Sequence, residues 1–212
     1  MKSGWVERWE EGRIGWHEAA GNRGLKRHWR ARDRDVLVPL CGKAQDLIWL
    51  AEQGNRVTGV ELAPLAVQQF FAESGLSHDI DESGALPVYA ARELPVRIAC
   101  GDYFEFAETG FDAHFDRGAL VALPAELRGR YAAHTQGLLG EAALQCVITV
   151  EYDQKVAAGP PFAVPEAELT AYWPRLELKE ARDDSADMPP KFREAGLRVF
   201  SECVWMTPDS GS

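Results

Sequence analysis

The sequence predicts an α/β fold: a single doubly wound, mostly parallel, seven-stranded sheet with helices on both faces. Three observations predict it. Short apolar runs alternate with stretches of helical spacing, Gly and Pro mark the turns between them, and 212 residues suffice for one domain with a core of its own. Strand–helix–strand units imply parallel pairing, and right-handed crossovers then place helices on both faces. The 46% hydrophobic and 26% charged fractions are those of a globular chain and exclude a disordered or fibrous one.

The elements follow in order. Trp5, Trp9, Ile14, Trp16, Leu25 and Trp29 pattern residues 5–30, and on a helix Trp5 and Trp9, four apart, share a face. Residues 1–34 are therefore expected as an N-terminal helical segment ahead of a core at 35–212. The apolar run 35–40 reads as a buried strand. Ala44, Leu47, Ile48, Leu50 and Ala51 then make a helix over 43–53, stopped by Gly54. Residues 56–62 form a second strand. Pro64 opens a second helix with Leu65, Val67, Phe70 and Phe71 inward, and Gly75 ends it. The stretch 77–95, rich in Ser, Asp, Gly and Pro, reads as an irregular insertion. Strands at 96–100, 111–115 and 144–150 follow, with a helix over 124–139 and another from Glu166. Strand-like runs near 175–180 and 197–206 complete the seven.

Composition excludes several functions. The chain has 23 Lys and Arg against 33 Asp and Glu, a net charge of −10, so a phosphate backbone is repelled and nucleic acid is not expected as the main partner. The charge is uneven: residues 1–34 hold nine basic and five acidic residues, +4, which leaves −14 for the remainder. This segment reads either as a solvated face docked on an acidic body or as a funnel for anionic ligands. No apolar run approaches a membrane span, and no apolar signal core is expected at the N-terminus. Cys41, Cys100, Cys146 and Cys203 are far apart, as expected of buried thiols in a reducing cytoplasm and not of a zinc site. His17, His28, His78, His114 and His134 show no ligand spacing, so no metal is expected.

In such sheets, ligands bind beyond the C-terminal strand ends, where strand order reverses. After the first strand, Gly42 lets backbone approach a ligand. The turn lacks the three glycines of a dinucleotide fingerprint, and Leu37 stands where a P-loop needs Gly. After the second, Glu61 lies nineteen residues beyond Gly42, a spacing suited to the hydroxyls of an adenosine ribose, although a strand-end carboxylate also suits helix capping. With no cationic phosphate cradle, adenosylmethionine fits better than NAD. Gly101 and Asp102 follow the third strand, and Asp102 suits either an adenine amino group or a helix N-cap. Asp116 and Arg117 end the fourth. An Arg within an apolar stretch is costly unless it meets an anion, either a nearby acid such as Asp116 or a ligand.

These residues, in this order, resemble the thiopurine S-methyltransferase family of class I adenosylmethionine-dependent enzymes. The matching stretches are Trp5 and Trp9 with Gly12, Trp16 and His17; Val38-Pro-Leu-Cys-Gly-Lys43 with Asp46 and Trp49; and Gly59-Val-Glu-Leu62 with Phe70 and Phe71. Further on come Asp116-Arg-Gly-Ala-Leu-Val-Ala-Leu123, Glu151-Tyr-Asp153 and Gly159-Pro-Pro-Phe162. The resemblance implies a Rossmann-like methyltransferase fold whose N-terminal segment covers the cofactor site. It also implies S-adenosyl-L-methionine as cofactor, with S-adenosyl-L-homocysteine as product. Trp9, Leu40, Glu61 and Arg117 are the implied cofactor contacts, helped by Trp5, Gly42, Gly101 and Asp102, and Trp16 matches a position lining the acceptor pocket. The segment 77–95 has little counterpart. Lys191-Phe192 stands where some members carry Arg-His beside the substrate.

The expected reaction is methyl transfer to the sulfur of an aromatic or heterocyclic thiol by in-line SN2 attack. The alternatives are a selenol or another selenium or tellurium compound, as in metalloid detoxification, or a non-catalytic adenosylmethionine-binding module. A soft thiolate needs alignment and water exclusion more than a base. Arg117 is the candidate to keep the acceptor anionic, and Asp116 to orient it. An indole, Trp5 or Trp9, can shelter the sulfonium, and an N-terminal segment closing over the cofactor is also a lid. A cytoplasmic monomer with no membrane partner is expected.

Overall fold

The computed structural model describes residues 2–15 and 17–208. Its N-terminal segment carries α1 (Lys2–Glu10) and α2 (Arg23–His28). The core continues with β1 (Asp35–Pro39), α3 (Asp46–Glu52), β2 (Arg56–Glu61) and α4 (Pro64–Ser74). Then come β3 (His78–Asp81), β4 (Val88–Ala91), β5 (Val96–Cys100), β6 (Phe111–Arg117), α5 (Ala125–Leu138) and β7 (Leu139–Glu151). The chain closes with α6 (Glu166–Tyr172), β8 (Glu177–Asp183), α7 (Pro190–Glu194) and β9 (Ser201–Met206).

One nine-stranded sheet has the order β3-β4-β5-β2-β1-β6-β7-β9-β8. Its middle, β5-β2-β1-β6-β7, is parallel throughout, as the strand–helix alternation requires, and antiparallel strands complete both edges. The expected seven strands are all there. The two extra ones come from 77–95, which is not irregular: His78–Asp81 and Val88–Ala91 form a hairpin that pairs onto β5. Strand alternation survives there between turn formers, but Asp79, Ile80 and Asp81 are exposed on an edge, so no apolar face betrays it. The helix expected over 43–53 begins only at Asp46, because the chain first turns sharply at Leu40 and Gly42, both at positive φ (47° and 54°). The strand expected at 144–150 is longer, spanning Leu139–Glu151.

Alternation along the strands divides the core. Val36, Val38, Val57 and Phe115 face α2, α3 and α4, where Leu25, Leu47, Leu50 and Phe70 are fully buried. Leu37, Val60 and Val147 face α5 and α6, meeting Tyr131, Leu169 and Trp173. Each large apolar side chain removed from water in these layers contributes about 1.5–3 kcal/mol. A smaller cluster of Tyr152, Phe192 and Phe200 closes the C-terminal region. The basic N-terminal segment docks on acidic residues of the body, Arg23 on Asp184 (3.5 Å), Arg27 on Glu180 (3.0 Å) and Arg34 on Asp112 (3.4 Å), as the first of its two readings expects. Among the described residues, no helix is long and apolar enough to cross a membrane.

Candidate active site

Strand order reverses at β1, which pairs with β2 on one side and β6 on the other. The C-terminal ends of β1, β2, β5 and β6 therefore meet at one rim, and with them Leu40, Glu61, Gly101 and Arg117.

The β1–β2 side is built from backbone. Leu40 occupies the left-handed region, at a cost of order 1–3 kcal/mol for a residue with a Cβ. The amide of Cys41 donates to the Val60 carbonyl (3.1 Å) and holds the turn against β2. Gly42 then donates its N–H to Glu61 Oε2 (2.8 Å), while the Ala63 N–H reaches Oε1 (2.7 Å). The nineteen-residue spacing thus closes into a contact between the two loops. Burial raises the pKa of Glu61, with the Ala63, Gly42 and Leu62 amides pulling it back. A carboxylate has about four acceptor positions, so capacity remains for hydroxyl donors. A Cβ at Gly42 would come within 3.1 Å of the Trp9 ring, so α1 lies directly over this turn. Trp9 is buried against Ala63 and Ala66. Trp5, on the same helix, carries the Arg8 guanidinium 5.0 Å from its ring centroid.

At the end of β5 the Gly101 N–H donates to the Glu61 carbonyl (2.8 Å). A side chain at Gly101 would collide with Leu86 from the hairpin, at 2.4 Å. Asp102 accepts from the Phe104 amide (3.0 Å) and caps a short turn, one of its two expected roles. Lys43, which follows the glycine, pairs with Glu73 (2.6 Å).

The β6 side is built from charged side chains. Along β6, Asp116 and Arg117 point to opposite layers. Asp116 is fully buried, accepts from the amides of Ala119 (3.3 Å) and Leu120 (3.1 Å) and from the Tyr131 hydroxyl (2.7 Å), and burial raises its pKa to about 6. Its contacts therefore fix the turn after β6 and do not orient Arg117, the role expected of it. The guanidinium of Arg117 pairs instead with Glu18 (2.5 Å), its side chain 18% exposed and that of Glu18 36%. Around this pair lie residues that sequence reasoning did not assign. The Asn22 amide donates to Asp46 (2.6 Å), and its side-chain nitrogen donates to Glu202 (3.1 Å). Arg182 bridges Glu202 (2.9 Å) and Asp184 (3.2 Å). Burial raises the pKa of both Asp46 and Glu202. The available signal was an acid, Glu202, inside the apolar run of β9.

Trp16 lies outside the described residues. The 159–162 stretch, with cis peptides at Gly159-Pro160 and Pro160-Pro161, is held by Tyr152, whose hydroxyl donates to the Pro161 carbonyl (2.7 Å), and by Lys191 at the Pro160 carbonyl (2.5 Å). The pKa of Lys191 is lowered by burial and further by Arg8, so α1 and α7 bring two cations towards one another. Phe192 is buried in the aromatic cluster against Tyr152. His114 is fully buried, and burial alone drops its pKa to about 3, which marks it as a neutral core residue. Among the described residues, no group of three or more His, Cys, Asp or Glu is placed to hold a metal ion.

Comparison with known proteins identifies the family. The family model described as thiopurine S-methyltransferase (TPMT) matches residues 1–209. A thiopurine S-methyltransferase from Bordetella petrii is 42% identical over 218 residues, covering 98% of each chain. One from Pseudomonas putida is 43% identical over 211 residues, covering 95% of this chain and 96% of the relative. Among solved structures, the 1,6-didemethyltoxoflavin-N1-methyltransferase of Burkholderia thailandensis superposes with a TM-score of 0.62 at 22% identity, over 98% of this chain and 87% of that one. A TehB-like SAM-dependent methyltransferase from Corynebacterium glutamicum gives 0.53 at 21% identity, over 98% of both. The fold is that of S-adenosylmethionine-dependent methyltransferases, and the chain belongs to the thiopurine S-methyltransferase family, whose cofactor is S-adenosylmethionine.

Proposed function

We propose that this methyltransferase, which acts on small molecules, methylates the sulfur of an aromatic or heterocyclic thiol by in-line attack of the thiolate. S-adenosylmethionine, when bound, supplies a methyl group on a sulfonium cation. The residues of the rim fit that cofactor. The Glu61 carboxylate, fixed by two amides, keeps acceptor capacity for ribose hydroxyls, and Gly42 keeps the turn open where a Cβ would meet Trp9. Trp9 and Leu40 enclose this side, with Trp5, Gly101 and Asp102 around it, and an indole face favours a desolvated cation by about 1–2 kcal/mol. On the family resemblance alone, we assign Trp16 to the acceptor pocket.

The observation that carries the thiol reading is Arg117 at the same rim as Glu61, one strand beyond β1 and largely shielded from water. A guanidinium stays charged at every working pH, so it lowers the pKa of a thiol beside it and holds the thiolate. No general base is then required. Alignment of the sulfur and exclusion of water by α1 and the 159–162 stretch carry the step, and positioning of this kind is worth up to about 7–11 kcal/mol. We place the protein in a reducing cytoplasm, where four far-spaced cysteines stay free thiols, and assign it as a monomer.

The test is product analysis with S-adenosylmethionine and a panel of heteroaromatic thiols, selenols and metalloid anions. S-methylated heteroaromatic thiols are the expected products. Turnover confined to selenite or tellurite would move the acceptor to metalloids, and cofactor binding without S-adenosylhomocysteine formation from any acceptor would leave a binding module.

A further inference from the structure

Three carboxylates feel the charge of the Arg117 guanidinium. Glu18 pairs with it directly, and Arg117 also stabilises the charged forms of Asp46 and Glu202, which Glu18 destabilises. The three are not equivalent. Asp46 and Glu202, 2% and 7% exposed, are tied down through Asn22, and Glu202 also through Arg182. Glu18 is the most exposed and sits on the irregular stretch between α1 and α2. A further anion beside Arg117 would meet all of them. Like unit charges 4 Å apart repel by about 4 kcal/mol at an effective dielectric of 20. An incoming anion therefore replaces Glu18 more readily than it joins it.

We propose that Glu18 is a positioning residue that sets the charge of the acceptor: it occupies the Arg117 guanidinium as an internal anion until an anionic acceptor takes its place. This rests on the assignment of Arg117 to the acceptor. The Glu18–Arg117 pair also fastens residues 17–22 over the rim, so seating the acceptor releases one of the fastenings of that strap. A thiol that binds protonated gains nothing from the exchange on binding, and meets it only when it ionises for attack.

The test is steady-state kinetics at saturating S-adenosylmethionine and pH 7, with 4-nitrothiophenol as the ionised thiol and benzyl mercaptan as the protonated one. Glu18→Gln removes the competing charge. It should lower KM for 4-nitrothiophenol about fivefold, the worth of a partly exposed ion pair, with kcat and the benzyl mercaptan KM little changed. Glu18→Asp should fall between Gln and wild type. Equal changes for both thiols, or a higher KM for the ionised one, would overturn the proposal. Calorimetry with S-adenosylhomocysteine gives the second arm. Tighter cofactor binding in Glu18→Gln without the KM shift would assign the displaced contact to the carboxylate of the cofactor and also overturn the role proposed. Arg117→Ala separates the two levels. If it leaves the preference between the thiols unchanged, the assignment of Arg117 itself fails. If it abolishes the preference while Glu18→Gln does nothing, only the role of Glu18 fails.

Discussion

The two halves of the rim are built from different materials. At β1 and β2 the candidate carboxylate, Glu61, is gripped by the amides of Gly42 and Ala63, within a turn that Trp9 covers. At β6 the candidate guanidinium, Arg117, is held by another side chain, Glu18, on an irregular stretch. Backbone partners cannot leave without unfolding the turn, whereas a side-chain partner can swing away. The first half is thus suited to a ligand that is always the same, the second to one that varies.

The contrast can be broken most sharply at Arg117. Arg117→Ala should lower kcat about 100-fold or more while changing the dissociation constant of S-adenosylhomocysteine far less, since a preorganised charge at the reacting atoms is worth several kcal/mol. Unchanged turnover would remove Arg117 from the chemistry. Asp116, its neighbour in sequence, tests the other material. Its pKa is raised to about 6 by burial, above its unfolded value, so its contribution to stability is full below about pH 4 and is lost as the pH rises through about 6. Denaturant unfolding across pH 4–8 should show the stability of wild type relative to Asp116→Asn falling by about 3 kcal/mol. A flat difference would mean that the hydrogen bonds from Tyr131, Ala119 and Leu120 offset the penalty of burying the charge, and a rising one that they outweigh it.

Smaller effects sharpen the comparison. Glu61→Ala should weaken S-adenosylhomocysteine binding about 30-fold in calorimetry, because hydrogen bonds to a charged group are worth about 1.5–3 kcal/mol, with kcat at saturating cofactor nearly kept. A large kcat loss with intact affinity would merge the two halves. The smallest effect expected is in hydrogen exchange: amides of α1 should gain protection on addition of S-adenosylhomocysteine, while those of β1 and β2 stay as they are. Equal protection of α1 with and without it would contradict a closing N-terminal segment.

The same division governs what could be read from the sequence. Glu61 was legible because a turn and the next strand end are joined by one helix, so a spacing of nineteen residues becomes a contact. The parallel middle of the sheet was legible because buried strands are uniformly apolar. The charged half was not. Asn22 meets Asp46 and Glu202, 24 and 180 residues away, and Arg117 meets Glu18 across 99, and no local periodicity encodes such pairs. Asp116 was misplaced for a local reason: adjacent strand residues point apart, so neighbours in sequence are not partners in space. The hairpin was missed because its outer strand has no buried face to leave an apolar stripe.

That hairpin changes where the molecule is sticky. Without it, β5, which ends at Cys100, would present a bare row of amides and carbonyls beside the candidate site. With it, the open row passes to His78–Asp81, four residues long and carrying Asp79 and Asp81. Short charged borders discourage stray chains from adding on. Crowded solutions of this protein are thus steered away from self-association at the margin of the candidate site.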